Sequence, residues 1–458
     1  MYFKNQKFLV AGMSKSGESC ARFLLERGAE VYVYDDVVSD NISALMSEFH
    51  SLGAHIVTAE TYIDSTLACD ILVLSPGIPI DNPLPVAFRK QNKAIIGEEE
   101  LGAMYLRATA IAVTGTNGKT TTVSMLDKIL QDEGLNSIAC GNIGNPLVGE
   151  VADMDFDDYA VIEISSFQLE TLSSLRPHIA VITNITEDHL NRHYNMENYV
   201  FLKSKILRNL RESEFAVLNY DDEIVRGFAR STKANVVYFS LKERVAGAYC
   251  ENGSVYFNGE KYFDISEMTL NGVHNVYNAL ACVAVSHILG LDKIKTSESI
   301  CGFKGIKHRI EVVRTVNGVT YIDDSKGTNV DATVKAIQTM TEPTLLLLGG
   351  KDKGYDYTSL FNAMQESKVV HAVLYGENRF KLLNAAIKAG FVSFSLCSEF
   401  ETAIKLAQFI AKPGQNVLLS PASSSFDSFS NYEERGDAFK KLVENILTDG
   451  VNEKAVEE

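Results

Sequence analysis

An α/β chain of three consecutive units, each carrying a largely parallel sheet, is what this sequence predicts. Short apolar runs alternate with longer helix-like segments, as strand–helix–strand units do, and the alternation restarts twice. At 458 residues the chain is also too long for one hydrophobic core. In the first unit residues 8–11, 31–34 and 71–74 read as strands, with a helix over 18–27. The second series opens with a strand at 110–113 and a helix over 119–133, followed by strands at 160–164 and 180–183. A third holds strands at 345–348, 372–375 and 417–419. The stretch 235–270, rich in Tyr, Val, Gly and Asn, reads as hairpins inserted in the middle unit. Boundaries near residues 98 and 303 divide the chain into 1–97, 98–302 and 303–458.

Composition narrows the function. A formal net charge of -16 argues against a nucleic-acid surface, which needs a basic field, so an anionic substrate must meet a local cluster of cations. No basic segment leads into an apolar one at the N-terminus, and no apolar run is long enough to span a bilayer. A cytoplasmic protein with no membrane insertion is expected. Its seven cysteines are scattered without a CxxC pair, which predicts buried reduced thiols rather than a disulfide framework or a zinc site.

Residues 110–122 read AIAVTGTNGKTTT, an apolar strand running into a Gly-rich turn and then a helix. Gly115, Thr116, Asn117 and Gly118 let backbone N–H groups converge on phosphate oxygens, the helix start adds its dipole, and Lys119 adds a full charge. Thr120 stands where a hydroxyl commonly ligates Mg²⁺, with Thr121 beside it. The generic phosphate-loop spacing wants Gly at position 113, where this chain has Val113. Downstream, VIEISSFQLE places Glu163 near a strand end, and NITEDHL places His189 after another. Ligands gather at such ends in open α/β sheets, and a carboxylate there suits a hard cation. Alone, Glu163 would be a strand-end charge, His189 a packing histidine, and Lys203 and Lys205 of YVFLKSKILRNL a solvated pair.

TGTNGKTT in place of the generic loop resembles the Mur ligase and folylpolyglutamate synthetase superfamily, and further segments follow in the Mur ligase order from Gly12 to Arg435. The resemblance implies a Rossmann-like N-terminal domain, a P-loop-type central ATPase domain and a Rossmann-like C-terminal domain. It implies Glu163 and His189 as Mg²⁺ ligands, and Lys205 carbamylated by CO₂ as ligand to a second Mg²⁺. GVHNVYNA brings Asn275 and Asn278 as ATP contacts, although an asparagine at a helix start can be merely a cap. KHRIE brings Arg309 to the ATP phosphates, and YIDDSKGTN brings Asp324 to ATP and Thr328 to the incoming amino acid.

LGGKDKG and LLSPASSSFDSF resemble the D-glutamate-adding branch, with Lys353, Ser425, Phe426 and Tyr432 as the amino-acid pocket; Tyr432 stands where the family often has Phe. In the first unit, VAGMSKSG is not GxGxxG, because Gly12 and Gly17 are five apart. The family uses this turn, with the acidic pair after the second strand and the SPGIP turn, for the UDP of its precursor. That maps onto Ser14, Lys15, Ser16, Asp35, Asp36, Ser75 and Gly77, with Asn142 of GNIGNP, and His189, on the muramoyl side. The implied activity joins D-glutamate to UDP-N-acetylmuramoyl-L-alanine with ATP, in a monomer. Two alternatives are a folylpolyglutamate synthetase-like ligase and, in another class, a nicotinamide-dependent oxidoreductase built on the N-terminal turn.

Overall fold

The computed structural model describes residue 3 and residues 6–36, 40–58, 61–270, 272–352 and 355–447. The first sheet holds β1 (Lys7–Ala11), β2 (Glu30–Tyr34), β3 (His55–Ile56), β4 (Ile71–Leu74) and β5 (Ala94–Ile96), all parallel, in the order β3-β2-β1-β4-β5. The order reverses between β1 and β4, and a crevice for a ligand opens where it does.

The central sheet has nine strands: β6 (Thr109–Thr114), β7 (Ser137–Gly141), β8 (Tyr159–Glu163), β9 (Ile179–Ile182), β10 (Phe215–Asn219), β11 (Asn235–Ser240), β12 (Gly247–Glu251), β13 (Ser254–Phe257) and β14 (Glu260–Asp264). From β7 through β8, β6, β9, β10 and β11 to β12 the strands are parallel, and β13 and β14 follow antiparallel. Residues 235–240 form the parallel strand β11, whereas the predicted hairpins are β12 to β14, which continue the edge of the middle unit's sheet. Their turns are Asn252-Gly253 and Asn258-Gly259, each with positive φ at both residues, the chemistry of tight two-residue hairpins.

These two sheets belong to one compact unit, Met1–Lys304. A continuous apolar core explains this: it runs from Phe8 and Val31 of the first sheet, through Leu101 and Leu147, to Ile162 and Ala180 of the central one. Leu101 and Leu147 are fully buried, each contributing roughly 2 kcal/mol of apolar burial. Gly102 makes the approach possible, since a Cβ there would lie 2.8 Å from Leu147 Cγ.

The second compact unit, Gly305–Glu458, carries the third sheet. It contains β15 (Glu311–Val316), β16 (Val319–Asp323), β17 (Thr344–Gly349), β18 (Val369–Tyr375), β19 (Phe394–Leu396) and β20 (Asn416–Leu419), ordered β15-β16-β20-β17-β18-β19. Only β15 runs antiparallel to its neighbour. Among the described residues no helix is long and apolar enough to cross a membrane, and all seven cysteines are free.

Candidate active site

The Gly-rich turn between β6 and the helix Lys119–Asp132 is clamped from both sides. Gly115 (φ 149°) and Gly118 (φ 85°) adopt backbone conformations that L side chains rarely take, and neither leaves room for one. A Cβ on Gly115 would lie 1.9 Å from Thr183 Oγ1, and one on Gly118 would lie 2.4 Å from Asn278 Oδ1. The Asn117 N–H donates to Asn184 Oδ1 at 2.9 Å, while the Asn117 carbonyl accepts from Asn184 Nδ2 at 3.0 Å and Thr183 Oγ1 at 2.6 Å. Thr116 Oγ1 donates to the Thr186 carbonyl at 3.1 Å and lies 3.0 Å from the Tyr199 hydroxyl. Lys119 Nζ donates to the carbonyls of Gly115 and Thr116, both at 2.9 Å. Lys203, only 1% exposed, donates to the same Gly115 carbonyl at 2.7 Å. Two ammonium groups therefore meet at one turn, a concentration of positive charge that a triphosphate can exploit.

Beside the turn, β8 runs in register with β6 and β7, so Glu163 lies opposite Val113 and Gly141. Its carboxylate is 2% exposed; Oε1 accepts from Asn142 Nδ2 at 2.7 Å, and Oε2 is buried with no hydrogen-bond partner. A buried carboxylate oxygen without a donor is costly, and a hard cation is what such an oxygen lacks. His189 stands at φ 54° ahead of the short helix Leu190–His193, its ring against Phe167 at 4.9 Å and its Nε2 3.5 Å from Asp188 Oδ2. Lys205 follows the helix Met196–Ser204 and donates to the carbonyls of Leu169 and Glu170. Burial, then the Arg208 cation, pull its amine below the ordinary lysine range, against the opposing pull of Glu100 and Glu170. Thr120, in the first turn of the loop helix, is 9% exposed, with Thr121 next to it.

Asn275 and Asn278 are buried on the helix Val273–Ile288. Neither is its cap, a position held by Gly272. Asn278 Oδ1 instead accepts from Thr122 Oγ1 at 3.3 Å and presses on Gly118, so this helix backs the Gly-rich turn.

In the first sheet the predicted turns converge where the strand order reverses. Gly12 (φ 87°) ends β1 with no room for a side chain, since its Cβ would lie 2.7 Å from Ser75 Cβ after β4. Ser14 precedes the helix Lys15–Glu26, and Ser16 lies in its first turn. The Met13 N–H donates to Asp35 Oδ2 at 2.6 Å, and the Tyr34 hydroxyl donates to Asp36. Lys15 Nζ donates to the Gly144 carbonyl at 2.7 Å, tying this turn to the GNIGNP loop that carries Asn142. Arg192 reaches the carbonyls of Pro76, Gly77 and Ile78 while pairing with Glu170 at 2.7 Å. The turn carrying Ser75 and Gly77 is thus held against the central sheet.

The second compact unit has its own strand-end cluster. Asp323 Oδ2 lies 2.7 Å from His308 Nδ1, and Asp324 accepts from Ser420 Oγ at 2.6 Å and the Ile310 N–H at 3.2 Å. Burial pushes the Asp324 carboxyl up to about 7, against the pull of Ser420 and of Arg309. Arg309 is exposed between His308 (φ 61°) and Ile310 (φ 46°), two left-handed residues in a row of three. For a β-branched isoleucine such a conformation is strained. Arg435, 1% exposed, donates to Ser325 Oγ and to the carbonyls of Ser325 and Ser423. Ser325 Oγ donates to the Tyr432 carbonyl at 2.8 Å, and Lys326 Nζ lies 5.9 Å from the Tyr432 ring. Ser425 is buried, Thr328 half-buried and Phe426 exposed. Lys353 lies outside the described residues.

Comparison with known proteins decides the family. The Mur ligase MurD-like N-terminal domain matches residues 6–97, the Mur ligase middle domain 113–286, and the Mur ligase glutamate ligase domain 308–423. The UDP-N-acetylmuramoylalanine--D-glutamate ligase of Geotalea uraniireducens is 40% identical over 97% of this chain and 99% of its own. The chain belongs to the Mur ligase family. A second ligase of the same name, from Thermoanaerobacter sp., is 39% identical over 97% of this chain and all of its own. Among solved structures, the UDP-N-acetylmuramate-alanine ligase of Thermotoga maritima superposes at TM-score 0.55 with 19% identity, covering 96% of this chain and 99% of its own. MurF of Acinetobacter baumannii reaches 0.52 at 18% identity, covering 96% and 91%. These two likenesses show the fold shared across Mur ligases.

Sequence reading missed several groups around the Mur ligase site. Lys203 was set aside as half of a solvated pair, yet it is the buried one. Its spacing of four from Tyr199 on an otherwise apolar helix face was the available signal. Glu170 and Arg192 carried no signal, since their pairing spans 22 residues and depends on the fold. His193, fully buried with Nε2 2.9 Å from Ser166 Oγ, is pulled down to about 4 by burial and by Arg192, His189 and Lys203, and stays neutral. Glu98, Glu99 and Glu100, three acids in a row, are all buried. Glu100 accepts from the N–H groups of Ser173 and Ser174, Glu98 from the Val148 N–H, and Glu99 from Gln168.

Proposed function

We propose that this chain is the ATP-dependent ligase that joins D-glutamate to UDP-N-acetylmuramoyl-L-alanine, through an acyl phosphate, in the synthesis of the peptidoglycan precursor. Relatives matched end to end at 39–40% identity are named for that activity. The observation that carries the reading is the pairing of a rigid, doubly cationic phosphate turn with a buried carboxylate oxygen, Glu163 Oε2, that has no donor. Acceptor-rich phosphate and a hard cation are what these two features lack.

In this reading ATP lies on residues 115–121, with Asn275, Asn278, Arg309 and Asp324 as further contacts. The precursor's UDP takes the turns of Ser14, Lys15, Ser16, Asp35, Asp36, Ser75 and Gly77, and its muramoyl part takes Asn142 and His189. D-glutamate takes Thr328, Lys353, Ser425, Phe426 and Tyr432. Thr120, Glu163, His189 and Lys205, the last as a carbamate, would hold two Mg²⁺ ions, which neutralise phosphate charge when bound. The depressed amine of Lys205 supports the carbamate, because only the neutral amine adds CO₂. The alanyl carboxylate of the precursor attacks the γ-phosphorus of ATP, and ADP leaves. Lys119 and Arg309 spread the charge developing on the transferred group. The amine of D-glutamate then attacks the acyl carbon, and the tetrahedral intermediate expels phosphate to leave the amide. Lys203 holds the Gly115 carbonyl and so the shape of the turn. Three domains, 1–97, 98–302 and 303–458, divide these tasks, in a monomeric cytoplasmic enzyme.

A folylpolyglutamate synthetase-like ligase would leave the turns of Ser14, Asp35 and Ser75 without a substrate, and a nicotinamide oxidoreductase would leave the clamped turn without one. The test is phosphate release with ATP, Mg²⁺ and UDP-N-acetylmuramoyl-L-alanine while the amino acid is varied. Release that requires D-glutamate is expected; release with L-glutamate or a diamino acid instead overturns the assignment.

A further inference from the structure

The end of the central sheet where strands β9, β10 and β11 begin carries a second concave site. The chain enters β9, β10 and β11 from residues 173–176, 207–211 and 231–233, and these segments line an open hollow of about 580 Å³. Its wall includes Ser173, Arg176, Arg208, Asn209, Arg211 and Lys233. All four cations are exposed, and they come from three segments separated in sequence.

The local charge is not balanced. Glu214, buried behind the wall, lies 3.8 Å from Arg176 Nε and accepts from the Arg211 N–H at 2.6 Å. Glu100, also buried behind it, is occupied by the N–H groups of Ser173 and Ser174 and by Ser173 Oγ. The side chains of Arg208, Arg211 and Lys233 make no hydrogen bond or ion pair among the described residues, although Glu214 feels the charge of Arg211 as well as that of Arg176, which leaves the surplus positive charge at Arg208 and Lys233. Gathering unpaired cations in one hollow is unfavourable, and on a chain of net charge -16 it is not a by-product of a basic surface. The wall is also built: Asn209 Nδ2 donates to the carbonyls of Ser173 at 2.6 Å and Leu175 at 2.9 Å, locking two of the segments together.

We propose that this cavity is a second anion site, taking a small molecule that carries two or more phosphate groups. Its volume lies in the range of small-molecule sites, and several guanidinium forks suit phosphate oxygens better than a single carboxylate. The site lies at the strand starts, whereas the phosphate turn follows a strand end, so it stands independently of the ligase reading.

The test is calorimetric titration of full-length Lys119→Ala protein, whose phosphate turn is disabled, with sodium tripolyphosphate in metal-free buffer. One site per chain is expected, weakened at least tenfold when Arg208→Glu and Lys233→Glu are added. Inorganic phosphate should bind at least tenfold more weakly than tripolyphosphate, and raising NaCl should weaken both. Equal binding of ATP and tripolyphosphate assigns recognition to the phosphate chain, and tighter binding of ATP adds its nucleoside to the ligand. If the double charge reversal fails to fold, Arg211→Ser takes its place, with a loss of threefold or more expected. No heat up to about 10 mM tripolyphosphate, or an affinity that the cavity substitutions leave unchanged, overturns the proposal.

Discussion

Two polar clusters sit at strand ends in this molecule, and they are finished to different degrees. At the end of β16, Asp323 has His308, Asp324 has Ser420 and the Ile310 N–H, and Arg435 fills three acceptors. At the end of β8, Glu163 Oε2 has no donor, and nearby Lys119 and Lys203 rest on backbone carbonyls of the turn they would charge. Low dielectric makes both arrangements strong, but only the second leaves a buried carboxylate oxygen without a donor. A satisfied network holds a backbone in place; an unsatisfied one marks where a substrate or ion completes the set. Substitutions should therefore lower activity at Lys119 and Glu163, and stability at Arg435.

The largest effect is expected at Lys119. Lys119→Ala should lower D-glutamate-dependent phosphate release on the order of 10³-fold, about 4 kcal/mol of transition-state stabilisation, while the melting temperature hardly moves. A loss below tenfold would break the contrast. Glu163→Gln should follow, with release reduced on the order of 10²-fold and the Mg²⁺ requirement raised. Removing a buried charge that has only half its partners should leave urea stability unchanged or raised, and a marked drop would show that Glu163 is structural. Arg435→Ala reverses the pattern. It strips donors from Ser325 and Ser423 and opens a cavity, so urea unfolding of the second compact unit should lose about 3 kcal/mol.

The smallest effect sharpens the comparison with a third kind of cluster, one closed by a proton. Glu98 Oε2 and Glu99 Oε2 are both buried without a hydrogen-bond partner, and burial raises both carboxyl groups, Glu99 well above its ordinary range. Burial, and then the neighbouring Glu98 charge, favour a proton on Glu99. The folded state then binds a proton that the unfolded chain has released above about pH 4.3, so this pair's contribution falls as pH rises from there. Glu99→Gln copies the protonated form and should flatten that slope. The melting temperature at pH 8 should rise by about 2 °C, with little change near pH 4. An unchanged pH profile would remove that proton.

How much of this was readable beforehand depended on how local each signal is. The alternation of apolar runs located three strands in each sheet, because burial on both faces of a parallel sheet writes itself into consecutive residues; strands such as β7, β10 and β15 escaped it. The phosphate turn was legible for a similar reason: strand, glycines, lysine and threonine fall within thirteen residues. Asn142 was only half legible, expected on the muramoyl side and found donating to Glu163. Lys203, Arg192 and Arg435 were illegible as anchors, since an isolated Lys or Arg is solvated by default and their acceptors lie 88, 114 and 110 residues away. The continuous core joining the first two sheets was missed too, because the strand pattern alone gives three sheets without saying which of them share a core.

Asn278 has a consequence for synthesis on the ribosome. The turn it backs is complete by residue 119, yet the side chain pressed against Gly118 is added more than 150 residues later. Once residue 203 has been added, a nascent chain displays Gly115, Gly118, Lys119 and Lys203 of this turn while lacking the wall behind it. Affinity for ATP should arrive abruptly, when the helix Val273–Ile288 has emerged and docked, rather than grow with chain length.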